Sequence, residues 1–544
     1  MKKIVEISVR KALVCFLFCA LFTACDQYLE LSPTDRITDS VVWSTTTNAD
    51  AFLNGIYAGL PREYINSDPG DNFSDDGFGG QVNLYSRTTY ALSNYNPSNA
   101  PNYWTSNYAS IRKCNLFLEK VAASALPADW KLVRTAEARF LRAYFYHTLW
   151  INYGGVPILT EVLNQGADGD AIFHSRNTAE EVFAFVTNEL GAIAENLPLK
   201  PASGRVSQGA ALTLKGWCEL FEASPLRNPD NDPAKWRKAA ETSKRVIDLG
   251  VYRLFPDFVT MFYEENNHNE EEIFSIQYLG GTTIGGSREG LQGPFNVGGE
   301  SKSWGAIRPT HNLVSEFFMA NGLPTDHPDS GYDPNKPYQN REKRFYATVS
   351  FDGAQWLGKP MIYRVGSGSL LEFDKGSPTG YDLVKGMNPK YAIHGDQRLN
   401  SATQKIFRYA EVLLNYAEAR NEADGPDDSV YEAINTVRAR VDLPALKSGL
   451  SKDDMRKAIR QERRVELAFE LKRLPDLMRW KEAEKLLNRN LLGMKIENGP
   501  GGTIATVVPV AGGQRAFHAE KNYVLPIPQS AIDKNRNLVQ NPNY

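Results

Sequence analysis

Apolar side chains recur at three- and four-residue steps along much of the chain, which is the spacing of helices with a buried face. The clearest such stretch covers residues 129–153, and its second half carries no formal charge apart from His147. A helix that is apolar nearly all round is typical of a buried one. Gly154, Gly155 and Pro157 follow directly and predict its end. We expect its aromatic side chains to be structural and to touch no ligand: Tyr144, Phe145, Tyr146 and Trp150.

The same period predicts further helices, which pair into hairpins. Residues 178–181 (Thr-Ala-Glu-Glu) form a capping-box pattern at one helix start, and Pro475 predicts a kink in a long helix. The lengths are similar to tetratricopeptide hairpins of about 34 residues, without a strict repeat signature. The predicted fold is therefore mainly α, built from degenerate tetratricopeptide-like helical hairpins. The further helices are expected at residues 48–60, 103–121, 178–196, 207–223, 233–249, 407–423, 428–441 and 451–487.

An irregular, loop-rich insertion separates two helical blocks. It is rich in Gly, Tyr, Asp and Pro, with an alternating strand pattern at 272–278 and a helical pattern at 311–319. We expect this insertion and its short strands to pack with both blocks into one compact body over residues 25–544. The predicted parts are N-terminal helical hairpins (26–250), the insertion (251–400) and a C-terminal helical block (401–544).

The N-terminus has the pattern of a processed leader. Basic residues precede an apolar run at 12–24, which suits a signal peptide and is too short to cross a bilayer. Cys25 follows the small Ala24, as in a bacterial lipobox, although Phe22 stands where Leu is usual. The sequence predicts a signal peptide at 1–24 and lipidation at Cys25, with a plain secreted protein as the alternative.

The charge balance argues against a nucleic-acid partner. Residues 1–24 carry a net charge of +3, so their removal takes the formal charge from −3 to −6. A nucleic-acid-binding protein needs a basic footprint instead. Beyond the leader and Cys25 only two cysteines remain, Cys114 and Cys218. We expect two buried free thiols, with a single disulfide between them as the alternative.

No motif requires catalysis, a cofactor or a metal. Glu462, Glu466 and Glu470 share a helix face, and paired carboxylates can serve a glycosidase. Because arginines interleave with them, the pattern favours an ion-paired helix. The histidines lack metal-ligand spacing, and the glycine-rich stretch at 280–299 is no phosphate loop. Residues 71–77 are acidic but lack the EF-hand register, so a loosely held Ca²⁺ at this loop is kept only as an alternative to a loop without metal.

Ligand binding is the more natural interpretation of the irregular stretches. A sugar ring needs a flat aromatic surface for its C–H face and polar side chains for its hydroxyls. Such residues concentrate at 62–101 and 278–310. Trp304 and Arg308 are the leading pair, since they follow a glycine-rich loop and lie outside the helices. The predicted ligand-binding residues are Trp304, Arg308, Tyr278, Asp75, Asp76, Tyr85 and Tyr95, with Trp356 as a further candidate.

Several motifs together resemble one known family. They are Cys25 with the Tyr-Leu-Glu-Leu-Ser-Pro of 28–33, the segment from Ala136 to Pro157, the segment 408–419, the segment 460–480, and the tail segments 526–533 and 540–544. In order and spacing they resemble the SusD/RagB family of outer-membrane nutrient-binding lipoproteins over the whole mature chain. Two residues depart from that pattern, Leu471 where Gly is usual and Pro475 where Trp is frequent.

This resemblance implies a lipid-anchored protein on the outer face of the outer membrane of a Bacteroidetes-type bacterium. Such proteins bind oligosaccharides, sometimes peptides, and deliver them to a SusC-like TonB-dependent transporter without doing chemistry. Their tetratricopeptide-like helices contact the barrel, whereas their ligand residues vary between members, so the resemblance assigns no ligand residue to this chain. Three alternatives stay open: a surface glycoside hydrolase with two carboxylates in one cleft, a binder of peptides instead of glycans, and a pure assembly scaffold.

Overall fold

A computed structural model of the chain describes residues 39–63, 66–80, 83–281, 288–295, 303–373, 375–392 and 400–544. The predicted signal peptide and Cys25 lie outside these residues, as does half of the glycine-rich stretch at 280–299. The fold is helix-rich with only short strands, as predicted. Within the described residues, no helix combines the length and apolar character that crossing a bilayer requires.

The N-terminal block consists of helices that pack on one another in chain order. Because α3 packs on α4, α4 on α6, α6 on α7 and α7 on α8, the block is a row of helical hairpins. The capping box at the start of α6 is present, with the Thr178 hydroxyl and the Glu181 carboxylate each accepting from the other residue's backbone N–H. The helices are α1 (Asp39–Val42), α2 (Thr46–Tyr57), α3 (Trp104–Ala123), α4 (Ala128–Tyr153), α5 (Gln165–Asp168), α6 (Ala179–Ile193), α7 (Gln208–Ala223) and α8 (Pro233–Asp248).

Helix α4 is the buried post that its composition predicts. Trp150 and Tyr146 are fully buried, and Phe145 and Tyr144 nearly so. The His147 ring meets the Trp217 ring edge-on at 4.9 Å, and burial lowers the pKa of this histidine to about 3, so its imidazole is neutral. Cys114 and Cys218 are both buried free thiols.

The insertion consists of short strands and single helical turns. Strand β3 (Ile307–Pro309) pairs with β1 (Gly77–Gly79), which precedes the insertion, and β2 (Glu272–Ile276) pairs with β8 (Gln404–Arg408), which follows it, so the insertion is fastened to both helical blocks. The pairs β1–β3, β2–β8, β4–β7 and β5–β6 are all antiparallel. The elements are β1 (Gly77–Gly79), β2 (Glu272–Ile276), α9 (Arg288–Gln292), β3 (Ile307–Pro309), α10 (His311–Val314), α11 (Lys343–Thr348), β4 (Val349–Ser350), β5 (Gln355–Trp356), β6 (Lys359–Pro360), β7 (Asp382–Leu383), α12 (Pro389–Ala392) and β8 (Gln404–Arg408).

The predicted helix at 311–319 is too long. Helix α10 ends at Val314, and the Arg341 guanidinium donates to the carbonyls of Val314 and Phe317 at 2.7 and 2.8 Å. A buried arginine thus takes carbonyls that a longer helix would have used for its own hydrogen bonds.

The C-terminal block completes the helical layer and adds a β-hairpin. Helix α13 packs against α8 of the N-terminal block and against both α14 and α15. The hairpin was missed, although Asn498-Gly-Pro-Gly-Gly502 between two alternating stretches is a turn signal. The elements are α13 (Tyr409–Asp424), α14 (Asp428–Arg440), α15 (Lys452–Glu466), α16 (Arg473–Arg479), α17 (Ala483–Leu486), β9 (Leu492–Gly499), β10 (Gly502–Pro509) and α18 (Gln529–Ile532).

The prediction of one long kinked helix at 451–487 is wrong. The chain breaks between α15 and α16, where Phe469 and Leu471 adopt left-handed φ values of 59° and 63°. The Lys385 ammonium donates to the carbonyls of Glu466 and Ala468, which caps the end of α15. Pro475 lies in the first turn of α16, where its missing N–H leaves no hydrogen bond unmade.

A buried ion network holds this break in place. Glu466 is fully buried and accepts from Arg408 and Arg344 at 2.6 and 2.9 Å, as well as from Arg440. The prediction of ion pairing is therefore confirmed, but the cations come from other elements instead of the same helix. The three carboxylates of Glu462, Glu466 and Glu470 share the partners Arg344, Lys385, Arg408, Arg438 and Arg440.

Candidate functional site

The two irregular stretches that carry the predicted ligand residues lie side by side. Strand β1 pairs with β3, which sets Phe78 opposite Arg308. The Asn72 amide donates to the Ala306 carbonyl at 3.1 Å, and this carbonyl also accepts from the Gly80 N–H at 3.2 Å. Buried contacts therefore hold together residues that are more than 200 positions apart in the chain.

An open cleft of about 320 Å³ lies in the first of these stretches. Three half-exposed aromatic rings and four polar side chains line it, so a ligand there meets flat apolar faces and hydrogen-bonding groups together. The aromatic residues are Phe73, Tyr85 and Tyr103, and the polar ones are Glu63, Asn66, Asp68 and Asn99.

A row of stacked rings stiffens one wall of this cleft. The Phe73 ring stacks on Tyr90 at a centroid distance of 4.3 Å, Tyr90 on Tyr95 at 5.3 Å, and Tyr95 on Tyr544 at 6.2 Å. The Tyr85 ring meets Phe73 edge-on at 6.4 Å. Tyr85 begins a π-helical turn at Ser86–Tyr90, a rare element that is frequent at functional sites.

The carboxylates of the cleft are fixed by the loop around them. The Glu63 carboxylate accepts from Asn66 Nδ2 at 3.0 Å and from the Gly70 N–H at 3.1 Å. Burial raises the pKa of Glu63. Asp68 accepts on one oxygen from Asn72 Nδ2 at 2.9 Å and on the other from the Ser86 N–H at 2.8 Å. Both oxygens of Asp68 therefore have donors already, whereas the donors to Glu63 among the described residues all reach one of its two carboxylate oxygens.

Trp304 is the exposed aromatic residue of the second stretch. Its side chain is 59% exposed, and its backbone N–H donates to the Gly290 carbonyl in α9 at 2.8 Å. From the same helix, the Gln292 amide donates to the backbone carbonyls of Glu63 and Asn66 at 2.7 and 3.3 Å. Helix α9 thus ties the backbone of Trp304 to the rim of the cleft.

Most of the other predicted ligand residues are buried. Arg308 forms an ion pair with Asp382, which also accepts from the Tyr363 hydroxyl at 2.9 Å. Tyr278 is 7% exposed, and its hydroxyl donates to Gln404 at 3.0 Å. Tyr95 is 4% exposed within the aromatic row.

Asp75 and Asp76 are ion-paired in the interior. Asp75 accepts from Arg473 at 2.8 Å and from Arg464 at 3.0 Å, and Asp76 accepts from Arg464 at 2.7 Å. Although burial opposes it, the charges of Arg473 and Arg464 lower the pKa of Asp75. These carboxylates join the loop to α15 and α16. No group of three or more metal-ligating side chains is found in the part of the chain that the structure describes.

The structure thus sorts the predicted residues by position. Trp304 and Tyr85 face solvent at least in part, and Trp356 is half-buried against two apolar clusters in the insertion. The remaining members support the loops from within. The sequence indicated the stretch at 62–101 but did not single out five cleft residues within it or Tyr103 just beyond it. Which side of a loop faces inward depends on its tertiary partners, which a local pattern does not contain. The five residues are Glu63, Asn66, Asp68, Phe73 and Asn99.

A helical scaffold that presents an aromatic and polar cleft on its loops defines a class of ligand-binding protein. Comparison with known proteins gives the family. Residues 270–544 match the SusD family model, and residues 27–215 match a second model, described as starch-binding associating with outer membrane. The chain therefore belongs to the SusD family.

Relatives and solved structures cover nearly the whole chain. A SusD-like protein of Formosa agariphila is 26% identical, over 95% of this chain and 96% of its own. The starch-binding protein SusD of Bacteroides thetaiotaomicron is 26% identical, over 80% of this chain and 76% of its own. A SusD-like carbohydrate-binding protein of Bacteroides fragilis has a crystal structure that aligns at a TM-score of 0.78 and 26% identity, covering 91% of this chain and 99% of that one. The chain is thus similar to named carbohydrate binders over most of its length.

Proposed function

We propose that this protein binds an oligosaccharide at the cell surface and delivers it to a SusC-like TonB-dependent transporter. The observation that carries the proposal is the cleft of Phe73, Tyr85 and Tyr103, with its polar rim and the exposed Trp304 tied to it through α9. Flat rings suit the C–H faces of sugars, and amide and carboxylate groups suit their hydroxyls. The names of the relatives, starch-binding and carbohydrate-binding, support the same ligand class.

In this proposal, the buried residues among the predicted ligand-binding residues stabilise the loops around the cleft instead of contacting the ligand. Arg308 ties β3 to β7 through its ion pair with Asp382, and Asp75 and Asp76 tie the segment before β1 to α15 through Arg464. Tyr95 keeps the ring row behind Phe73 rigid. Pre-ordering of a cleft by such contacts lowers the entropy lost when a ligand binds.

A glycan array tests the binding site. We expect Trp304→Ala and Tyr85→Ala each to weaken binding of a captured glycan by about tenfold, because each removes one stacking face. Tyr346→Ala is the matched control, since Tyr346 is 44% exposed on α11 and lies outside the cleft. An array that stays blank while peptides bind contradicts the carbohydrate proposal, and unchanged affinity in both variants contradicts the site.

A surface glycoside hydrolase is the second candidate, because Glu63 and Asp68 are two carboxylates in one cleft. Burial raises the pKa of Glu63, as in a general acid. However, both oxygens of Asp68 already accept hydrogen bonds, which leaves it poorly placed as a nucleophile or base. We infer a protein without enzymatic activity. Reducing ends released from a bound glycan by the wild type, and lost in Glu63→Gln, would establish the hydrolase instead.

Anchoring and delivery form the cellular half of the proposal. Lipidation of Cys25 would hold the protein at the outer membrane, which agrees with the family description of association with that membrane. We expect Cys25→Ala to move the protein from the membrane fraction to the soluble fraction while the purified protein keeps its glycan affinity. A wild-type protein found in the soluble fraction, or one that never co-purifies with a TonB-dependent transporter, contradicts anchoring and delivery but leaves the glycan-binding proposal untouched.

A further inference from the structure

A second cavity opens along α3 and shares no lining residue with the glycan cleft. This groove has a volume of about 390 Å³ and lies between the first three turns of α3, the loop at 157–174 and the C-terminal segment around α18. Its walls are formed mainly by apolar side chains, among them Ile111, Leu159 and Leu538. The size falls in the range of small-molecule pockets.

The polar groups on the groove floor already have partners. The Tyr108 hydroxyl donates to the Pro157 carbonyl at 2.7 Å, and the Asn115 amide donates to the Leu159 and Glu161 carbonyls at 3.0 Å each. Trp104 is only 8% exposed and so offers no open face for a sugar ring. In contrast to the cleft, this floor favours hydrocarbon over hydroxyl groups.

The rim of the groove carries exposed cations. Arg112 and Lys534 line it from α3 and from the turn after α18, and neither forms an ion pair within the described part of the chain. Glu161 is the acidic residue among the lining side chains and is exposed. A ligand that brings an anionic group to this rim gains a charge-assisted contact without having to break an existing pair.

We propose that the groove binds a small amphipathic anion, an aliphatic or aromatic carboxylic acid whose apolar body fills the groove. The body contacts Ile111, Leu159 and Leu538, and the carboxylate lies against Arg112 and Lys534. The two sites then take different chemistry, sugars at the aromatic cleft and amphipathic acids along α3. This second activity does not depend on the glycan site.

The test is a ligand-observed NMR titration of the full folded protein with 4-phenylbutyrate and, as a neutral counterpart, 4-phenylbutan-1-ol. We expect the acid to bind about tenfold more tightly than the alcohol. Lys534→Glu and Arg112→Glu should each remove most of that preference, and both residues are exposed, so neither change disturbs the core. Lys447→Glu is the matched control, because Lys447 is an exposed lysine outside the groove and should leave the preference unchanged.

Several outcomes overturn the proposal. No saturable binding of the acid to the wild type refutes the site, and equal binding of acid and alcohol refutes anion recognition. An acid preference that survives both charge reversals places the anion elsewhere. Trp304→Ala should leave the probe affinity unchanged and Lys534→Glu should leave glycan affinity unchanged, so the two sites succeed or fail separately.

Discussion

Two consecutive glycines end α4 for different physical reasons. Gly154 has a φ of 72° and a ψ of −117°, a conformation that side chains disfavour, yet a Cβ built there meets nothing closer than 3.6 Å. At Gly155 a Cβ would lie 2.2 Å from the Asn177 carbonyl oxygen. Backbone conformation requires the first glycine, and the close approach of another chain segment requires the second.

Alanine substitutions separate these two effects. We expect Gly154→Ala to lower the free energy of unfolding by about 1–2 kcal/mol through backbone strain. Gly155→Ala should lower it by more than about 2 kcal/mol, since the Asn177 backbone has to move. Gly55→Ala is the control in an open position of α2 and should raise it by about 0.5 kcal/mol. Urea unfolding followed by circular dichroism measures all three, and equal losses at 154 and 155 would contradict the distinction.

At the same scale, the sequence predicts residue types that suit ligand binding but not their orientation. Aromatic and acidic side chains at 62–101 indicated a ligand site, and the cleft lies there. Asp75 and Asp76 have the composition of a ligand rim, yet the arginines that bury them come from α15 and α16, nearly 400 positions away. A local pattern contains no information about so distant a partner, so the burial of such a residue cannot be predicted from it.

Among the elements, the predictions were accurate where local signals decide the structure. Helix α4 and the capped start of α6 have their expected positions, because periodicity, a capping box and glycine stops are local features. The prediction of one helix over 451–487 is wrong because two distant cations, Lys385 and Arg408, donate hydrogen bonds to the backbone carbonyl at the end of α15. Tertiary contacts overrode the helical period at that point.

The ion network at the break provides the test at this scale. We expect Glu466→Gln to lower the free energy of unfolding by about 3–5 kcal/mol, because buried guanidinium groups of Arg408 and Arg344 lose their counter-charge. Although burial opposes it, these arginines and Arg440 hold the pKa of Glu466 well below its usual range. Its contribution is therefore present at neutral pH and is lost as the pH falls through the folded-state pKa.

Denaturant titrations at neutral and acidic pH measure this loss. Glu484→Gln is the matched control, because Glu484 is an exposed residue of α17 and should change stability by less than about 0.5 kcal/mol. The difference between the two variants should shrink as the wild-type carboxylate titrates. A loss at position 466 no larger than at 484 would show that the network does not stabilise the break.

Across the whole molecule, distant parts of the chain contribute to the main apolar core cluster. The main apolar cluster contains Leu53 of α2, Trp150 of α4, Phe274 of β2 and Leu538 near the C-terminus. The tail also closes on α4, since the Asn541 amide donates to the Tyr153 carbonyl at 3.1 Å. This cluster draws on both helical blocks and on the insertion between them, so it joins all three parts of the chain.

This shared core predicts one cooperative unfolding transition. We expect thermal unfolding curves from far-ultraviolet circular dichroism and from tryptophan fluorescence to coincide, with calorimetric and van't Hoff enthalpies that agree. Residues 39–250 expressed alone should fail to give a cooperative transition, because they lack the β2–β8 pair, the tail over α4 and the packing of α13 on α8. The intact chain under the same buffer is the control. Two separated transitions, or a fragment that unfolds cooperatively, would mean that the N-terminal hairpins are an independent domain. The aromatic cleft, whose lining residues all lie within 39–250, could then be studied without the rest of the chain.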